Sequence, residues 1–351
     1  MKQADLTVLP ASDPLSILRY RDGIYAVDLL TAAICEFDFF TRNAGEGGTL
    51  SQVCEEFSFA PRLADVMLTL FVANGYLVCD DEGVYRNTET ANEHLVKTSP
   101  WFLGPYYDSL KDRPVVMDFI QVLKTGKPAV WGGYEDQQDD WHEAMHDEAF
   151  AQSFTAAMNC RGLYLGKKLA DALEPYLENQ KQVLDVGGGS GIYACALVAN
   201  HAHLKARVLE QAPIDQIARD QIEQCDLAER IDVVSGDMFE RSQWPEDCDV
   251  HLFSNVMHDW DVPEIRTLLE HSYQSLSAGG LVVVHETFLN SAKTGPLPVA
   301  EYSCILAHST QGRCYSTLEM ADFLHEAGFE KIRSFDTAGD RGVVLARKMD
   351  G

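Results

Sequence analysis

The stretch QVLDVGGGSG, residues 182–191, decides the fold of this chain. Aliphatic residues end in a glycine-rich turn, and a helical pattern begins directly after it. Such a turn, between the first strand and the first helix of a parallel sheet, lets a ligand approach the backbone closely. The turn alone does not decide which cofactor binds. Residues 189–194 also fit the G-x-G-x-x-A form of sites for dinucleotides such as NAD.

Downstream of this turn, short β-rich runs alternate with helical stretches. The runs are KARVLE (205–210), IDVVSGD (231–237), DVHLFSNV (249–256) and LVVVHETF (281–288). Apolar strands joined by helices predict a parallel sheet covered on both faces. The last two runs, KIRSFDT and GVVLARK, are separated only by AGDR, so we expect that pair to be antiparallel. The sequence therefore predicts a Rossmann-like α/β domain over 181–351, with seven strands and an antiparallel last strand.

Residues 1–100 have a different pattern. LSQVCEEF and RLADVMLTLFVAN predict two helices joined near residues 58–61, and GYLVC and VYRNT predict a hairpin around an Asp-Glu-Gly turn. Helix, helix and hairpin form the outline of a winged helix, which binds DNA in many proteins. The second helix carries one arginine and a mostly apolar surface, which favours packing against another subunit. We therefore predict a mainly α, winged-helix-like dimerisation domain over 1–100, with a DNA-binding regulator as the competing class, and a helical connector over 101–180.

The charge balance argues against several partners. The 351 residues include 54 acidic and 28 basic side chains, a net charge of −26, which repels nucleic-acid phosphate and anionic membranes. Nine cysteines without a CxxC pair indicate reduced thiols. The stretch MKQADLTVLPASDPL contains no apolar core of signal-peptide length, and no run approaches the ~18 apolar residues of a membrane span. We expect a cytoplasmic protein that binds neither nucleic acid nor membranes.

Acidic residues at the ends of three strands distinguish a dinucleotide, which contains a pyrophosphate, from a cofactor without phosphate. Asp185 precedes the glycines, where a carboxylate suits an ammonium or a bridging water and would repel a pyrophosphate. Glu210 ends the second strand, where an acid can bind ribose hydroxyls. Asp237, Met238 and Phe239 end the third, offering an acceptor and apolar surfaces to an adenine. A ligand with adenine, ribose and an amino acid tail, without phosphate, is S-adenosylmethionine.

Four motifs in order now carry a family resemblance. DVGGGSG, Glu210, GDMF at 236–239 and NVMHDW at 255–260 resemble the class I methyltransferases of the caffeic acid, hydroxyindole and bacterial polyketide O-methyltransferase group. The helical N-terminal part and the LKTGKPA segment fit the same group, so the resemblance covers nearly the whole chain. It implies S-adenosylmethionine as cofactor, a small-molecule acceptor, and a homodimer formed through the N-terminal domain.

The resemblance also implies roles for individual residues. His258 stands where the family keeps its general base, Asp259 is the acid beside it, and Glu286 matches a glutamate that orients the base. An imidazole, which ordinarily titrates near pH 6.5, can take a hydroxyl proton at neutral pH. The implied cofactor-binding residues are Asp185, Gly187, Gly189, Glu210, Asp237, Met238, Phe239 and Ser254.

The same resemblance places the acceptor pocket on the connector and on the helix after the fifth strand. Its expected lining residues are Phe154, Met158, Asn159, Ile305, His308 and Ser309. The polar groups considered for an acceptor carboxylate are Tyr106, Tyr107, Arg161 and Arg313. For Phe154 and Met158, a place in the ordinary core is an equally open reading.

One position departs from the family pattern. Relatives commonly carry a second glutamate in a GGKERT-like loop, and this chain has QGRCYS at 311–316, with Cys314 at the glutamate position. The base then has one orienting carboxylate. An acceptor without a proton to lose would need no general base. Some bacterial relatives S-methylate a thioether acceptor of this kind, 4-methylthio-2-hydroxybutyrate, on the route to dimethylsulfoniopropionate. O-methylation of a hydroxyl and S-methylation of a thioether acid both remain open.

Residues 141–150, WHEAMHDEAF, contain another motif. His142 to His146 spells H-E-x-x-H, the helical zinc signature of many metalloproteases. Asp147 and Glu148 directly follow the second histidine, and no third ligand is marked downstream. We interpret the match as chance and predict no metal. His142 and His146 are considered instead as donors to an acceptor's carboxylate or hydroxyl.

Overall fold

The computed structural model describes residues 5–129 and 144–349. The chain forms two compact units. The N-terminal unit comprises residues 16–140 and 289–316, and the sheet unit comprises 1–15, 141–288 and 317–351. These boundaries differ from the predicted division at residues 100 and 180. The expected connector is shared between the units, and 289–316, expected in the catalytic domain, belongs to the N-terminal unit.

The secondary structure follows in chain order. The helices are α1 (Leu15–Asp22), α2 (Ala26–Cys35), α3 (Phe39–Arg42), α4 (Leu50–Phe57), α5 (Pro61–Ala73), α6 (Glu89–His94), α7 (Gly104–Tyr107), α8 (Pro114–Thr125), α9 (Glu148–Leu177), α10 (Ile192–Asn200), α11 (Ile214–Gln224), α12 (Val262–Ser275), α13 (Leu297–Ser309) and α14 (Thr317–Glu326). The strands are β1 (Gly48–Thr49), β2 (Leu77–Cys79), β3 (Val84–Asn87), β4 (Gln182–Val186), β5 (Lys205–Glu210), β6 (Ile231–Ser235), β7 (Val250–Ser254), β8 (Leu281–Glu286), β9 (Glu330–Asp336) and β10 (Gly342–Arg347). Single 3-10 turns lie at Asp108–Leu110, Arg241–Gln243 and Met257–Asp259.

The sheet unit is built on seven strands in the order β6-β5-β4-β7-β8-β10-β9. β4 pairs in parallel with β5 and β7, whereas β10 is antiparallel to both of its neighbours. The predicted seven-stranded sheet with an antiparallel last strand is confirmed. The chain leaves β4 on one side and returns to its other side at β7, which makes the β4/β7 boundary the switch point where such sheets bind ligands.

Close packing between helices fixes the start of the sheet unit. α9 packs against α10, and Gly162 and Gly166 of α9 allow the approach. A Cβ on Gly162 would lie 2.4 Å from a methyl carbon of Ile192, and one on Gly166 would lie 2.8 Å from Ala196. Since α10 begins at the glycine turn, α9 supports that turn from behind.

The N-terminal unit contains the predicted helices and hairpin. α4 and α5 are present, and β2 pairs antiparallel with β3. The short strand β1, which also pairs with β3, was not predicted. α4 begins with a capping box, in which Thr49 and Gln52 each bind the other's backbone N–H.

The apolar surface of α5 is buried inside its own unit. Every residue from Leu63 to Phe71 is buried, and the helix packs against α13. The expectation that this surface contacts another subunit is therefore wrong, because α13 of the same chain occupies that role. A helix enclosed in this way is equally unsuited to lie in a DNA groove.

Two further observations concern membrane-spanning helices and cysteines. Within 5–129 and 144–349, no helix combines the length and the apolar character needed to cross a lipid bilayer. All nine cysteines lie in these ranges, and each carries a free thiol.

Candidate active site

The glycine turn connects β4 to α10. Gly187, Gly189 and Gly191 have φ angles of 62°, 56° and 73°, a left-handed region that glycine adopts without steric cost. Gly188 lies over the Asp185 side chain, since a Cβ there would be 2.7 Å from the Asp185 carboxyl and 2.9 Å from Val208. At Gly189 a Cβ would meet no atom of the described residues within 4 Å, so the backbone there has room for a ligand.

Asp185 lies beneath the turn and is 0% exposed. Its Oδ2 accepts a hydrogen bond from the N–H of Ala194 at 3.3 Å, and its Oδ1 has no hydrogen-bond partner among the described residues. Burial raises the pKa of the Asp185 carboxyl to about 7, and Glu210 adds to the rise. The predicted contact with the cofactor's ammonium therefore involves a carboxyl enclosed under Gly188.

We expect Asp185→Asn to raise the unfolding temperature of the cofactor-free protein at pH 8 and to leave it unchanged near pH 4. The folded carboxyl, with its pKa about 7, keeps a proton that the unfolded chain has lost above about pH 4. Wild-type stability therefore falls as the pH rises through that window, whereas asparagine stays neutral. Thermal unfolding from pH 4 to pH 8 measures this, with the exposed Asp232→Asn as control. Parallel curves for Asp185→Asn and wild type would contradict the expectation.

Glu210 lies at the end of β5, beside the turn. Its Oε2 accepts the N–H of Gly189 at 3.0 Å, and its Oε1 accepts the N–H of Gln211 at 2.8 Å. The structure thus brings two of the predicted cofactor residues into direct contact. An acid so placed suits the predicted bond to ribose hydroxyls.

The GDMF segment after β6 meets the same turn. A Cβ on Gly187 would lie 3.2 Å from Met238 Sδ and 3.4 Å from a methyl carbon of Val256. Phe239 packs edge-on against Trp260, with ring centroids 4.6 Å apart. Loops after β4, β6 and β7 therefore converge on one place.

These groups fit S-adenosylmethionine. Gly187 packs against apolar atoms of Met238 and Val256 that suit an adenine, and Asp237 is exposed on the same segment. Glu210 suits ribose hydroxyls, and no part of this set offers a cation to a pyrophosphate. Ser254, also predicted at the cofactor, is buried, and its Oγ lies 2.8 Å from His285 Nδ1.

The structure joins His258 to Glu286 as the resemblance implies. His258 Nδ1 lies 2.5 Å from Glu286 Oε2, and the two residues are only 5% and 3% exposed. Glu286 Oε1 accepts the N–H groups of Val256 and Met257 at 2.7 and 2.8 Å. One carboxylate thus fixes both the imidazole and the backbone that carries it. Asp259 Oδ1 lies 3.7 Å from His258 Nε2.

The expected acceptor residues of the sheet unit lie along α9. Phe154 stacks on Phe150, at 6.1 Å between centroids, and packs against a small buried cluster with Ile214. Met158 Sδ lies 3.3 Å from a guanidinium nitrogen of Arg161. Phe154 and Met158 are both half-buried.

Asn159, expected to line the acceptor pocket, forms a hydrogen bond to the glycine turn. Its Oδ1 accepts a hydrogen bond from Ser190 Oγ at 3.1 Å, and its Nδ2 donates to Gln221 Oε1 at 2.9 Å. Neither Ser190 nor Gln221 was singled out from the sequence, because both contacts join distant segments.

The remaining acceptor candidates, apart from the two histidines, belong to the N-terminal unit. Tyr106 is exposed, and burial raises the pKa of Tyr107. Ile305 is half-buried on α13, and Ser309 Oγ lies 3.1 Å from His308 Nδ1. His146 is exposed just before α9, whereas His142 lies outside the described residues.

Arg313 takes part in an ion pair inside the N-terminal unit. Its Nη1 lies 3.4 Å from Asp65 Oδ2, and Lys293 Nζ binds the same carboxylate at 2.6 Å. The guanidinium also lies over the Tyr315 ring at 4.4 Å. Asp65 therefore already neutralises part of the positive charge of Arg313, the side chain that the sequence analysis considered for binding an acceptor carboxylate.

Cys314 supplies no carboxylate and is buried at 1% exposure. Its N–H donates to Ser303 Oγ at 3.1 Å, and Arg62 fixes the same loop by donating to the carbonyl of Gly312 at 2.7 Å. The thiol belongs to the apolar core of the N-terminal unit, together with Cys304.

The H-E-x-x-H segment is only partly described. Of its two histidines, His146 lies in a turn just before α9. Among the residues that the structure describes, no three histidine, cysteine or acidic side chains gather as a metal site would require.

The sheet, the glycine turn and the match to a known family define a class I methyltransferase that uses S-adenosylmethionine. Residues 128–330 match the family model described as the O-methyltransferase domain, and the chain belongs to this family. Its curated relatives include 3-hydroxy-5-methyl-1-naphthoate 3-O-methyltransferase of Streptomyces sahachiroi, which is 28% identical over 93% of each chain.

Solved structures share the fold. An O-methyltransferase family 2 protein from Planctomyces limnophilus, in complex with apigenin, matches with a TM-score of 0.88 and 27% identity over 99% of this chain and 100% of that one. Human N-acetylserotonin methyltransferase in complex with S-adenosylmethionine matches with a TM-score of 0.61 and 22% identity, over 98% and 100% of the two chains. At that identity the second likeness shows the fold alone.

Proposed function

We propose that this methyltransferase transfers the methyl group of S-adenosylmethionine to a hydroxyl of a small molecule, with His258 as general base. The buried His258–Glu286 pair carries the proposal. Bound S-adenosylmethionine would supply an electrophilic methyl group on a sulfonium. The residues that would hold it are those around the glycine turn, namely Asp185, Gly187, Gly189, Glu210, Asp237, Met238 and Phe239.

The protein's own part in the reaction is to hold and move one proton. Glu286 accepts at Nδ1 of His258, so this nitrogen carries the ring proton and Nε2 takes the proton of the acceptor hydroxyl. The imidazolium formed then lies between Glu286 and Asp259, both of which favour its charge. Because methyl transfer needs the attacking oxygen in line with the methyl group, the rigid attachment of His258 to the backbone also orients the acceptor.

The relatives indicate which acceptors to test first. The Streptomyces enzyme is named for a hydroxynaphthoate, and the Planctomyces protein was solved with apigenin. Both are aromatic compounds with hydroxyl groups. We therefore propose a phenolic acceptor.

S-methylation of a thioether acid, such as 4-methylthio-2-hydroxybutyrate, is the second candidate. Cys314 favours it, because relatives commonly carry a second glutamate at this position of the sequence and this chain does not. A thioether sulfur is nucleophilic without losing a proton, so a weaker base would not slow its methylation.

An acceptor screen separates the two candidates. The protein is incubated with methyl-labelled S-adenosylmethionine and separate panels of phenols, small hydroxy acids and thioether acids. Label in phenols alone supports O-methylation. Label that enters thioether acids alone would exclude it in favour of the sulfur acceptor.

We also propose that the chain forms a homodimer through its N-terminal unit. Ile17, Tyr20, Ile24 and Val27, on α1, the turn after it and the start of α2, are between 40% and 89% exposed. Exposed apolar side chains in such a group are typical of subunit interfaces.

We expect Tyr20→Glu to convert the dimer to a monomer, because a buried carboxylate without a partner costs several kcal/mol. Sedimentation velocity at micromolar concentration measures the change. Leu318→Glu, at a 51% exposed position on α14, serves as the control and should leave the assembly unchanged. A wild-type protein that sediments as a monomer would contradict the dimer.

A further inference from the structure

Behind the loop that carries His258, polar side chains form a buried hydrogen-bond network. His285, on β8, is 0% exposed. Its Nδ1 lies 2.8 Å from Ser254 Oγ and its Nε2 lies 3.3 Å from Thr337 Oγ1. Burial and the neighbouring Arg341 and Arg161 lower the pKa of His285 to about 3, so the ring is neutral and bridges three strand ends.

Asn255 connects this network to the base loop. Its φ angle is 56°, a conformation that non-glycine residues adopt at a cost, and mainly where neighbouring contacts enforce it. Its N–H donates to the carbonyl of His285 at 2.9 Å. Its Nδ2 donates to Tyr193 Oη at 3.0 Å and to Ser254 Oγ at 3.2 Å.

The network is adjacent in sequence to the backbone that precedes His258 and to Glu286. Asn255 directly precedes Val256 and Met257, whose N–H groups bind Glu286, and His285 directly precedes Glu286 itself. Tyr193 lies in the first turn of α10, which starts at the glycine turn. The network therefore joins the cofactor side of the site to the backbone that orients the base.

We propose that Asn255 and His285 are positioning residues, which act through Glu286 and the 256–257 backbone to hold His258 in place for proton transfer. The inference rests on the proposed role of His258 as base. A displacement of about 1 Å at a catalytic group can cost a hundredfold in rate. Loss of this support should therefore reduce kcat while cofactor binding persists.

The test compares two buried histidines. His251 is also fully buried and also neutral, with its pKa lowered by burial to about 3, and it lies 2.9 Å from Ser272 Oγ. We expect His285→Gln to lower kcat by about 10- to 100-fold with the Kd of S-adenosylmethionine unchanged. His251→Gln should keep kcat although it also loses stability.

Two milder variants guard against misfolding. Asn255→Gly keeps the left-handed backbone and removes only the side-chain bonds, and Tyr193→Phe removes one acceptor. Each should lower kcat more than it changes the acceptor's KM. Wild-type kcat in both variants would overturn the proposal.

A double substitution separates this inference from the function on which it rests. In a His258→Ala background, His285→Gln should cause no further loss, because the group that it positions is gone. If His258→Ala loses activity and His285→Gln keeps it, the network has no positioning role and the base assignment stands. If His258→Ala itself keeps full activity toward a hydroxyl acceptor, both fail together.

Discussion

Replacing His258 by alanine should lower kcat toward a hydroxyl acceptor by about a thousandfold. General-base catalysis typically contributes about 10²- to 10⁴-fold, and His258 is nearly enclosed, with Glu286 at Nδ1 and Asp259 near Nε2. The cofactor residues around the glycine turn are untouched, so the Kd of S-adenosylmethionine should stay within about twofold. Single-turnover rates with labelled cofactor, together with calorimetric titration, measure the two quantities separately.

The exposed His325 on α14 provides a control. His325→Ala should leave kcat and Kd unchanged. If His258→Ala keeps the wild-type rate with every acceptor that takes the label, His258 is no base. Such a result obtained with a thioether acid would support the sulfur candidate, whose acceptor has no proton to lose.

Glu286→Gln should lower kcat by about a hundredfold although the side chain keeps its shape. An amide oxygen can still accept the N–H groups of Val256 and Met257, so the loop stays in place. The amide nitrogen, however, donates toward His258 Nδ1, which forces the ring proton onto Nε2. The nitrogen that should take the acceptor's proton is then already protonated.

Nitrogen-15 chemical shifts of the His258 ring report this change of tautomer directly. The wild-type ring should carry its proton on Nδ1, and the Glu286→Gln ring should carry it on Nε2. Glu286→Asp serves as the comparison, because it retains a carboxylate acceptor on a shorter side chain. An unchanged kcat in Glu286→Gln would show that this carboxylate does not set the tautomer.

The sheet and the edge where the cofactor is expected could be predicted, because each depends on residues that are close together in the sequence. β7 and β8 are buried along their whole length, which produces the mostly apolar runs that the sequence shows. The glycine turn needs left-handed backbone, so its residue types are visible in the sequence. Since the carboxyl ends of parallel strands share one edge, Asp185, Glu210 and Asp237 could be assigned to one site.

Contacts between distant segments could not be predicted in this way. The Arg313–Asp65 ion pair and the Asn159–Ser190 bond each join segments far apart in the chain. Spacing within a segment carries no information on such a partner. The buried network around His285 was missed for the same reason, since Tyr193, Asn255 and Thr337 lie in three separate parts of the chain.

The interpretation of α5 failed for a related cause. A helix that is apolar over most of its surface is typical of a core helix as well as of an interface helix. The choice between them depends on α13, which follows α5 only after the greater part of the chain. No local pattern in residues 61–73 indicates that partner.

The course of the chain through the N-terminal unit also bears on how the protein is made. α13 covers α5, yet a ribosome synthesises α13 only after it has synthesised β8 of the other unit. Until then the apolar side chains of α5 lack the cover that the finished protein gives them, and such surfaces are prone to aggregation. A fragment that ends before residue 289 should therefore be poorly soluble, and a dissection of this enzyme into separate halves would need to carry 289–316 with the first.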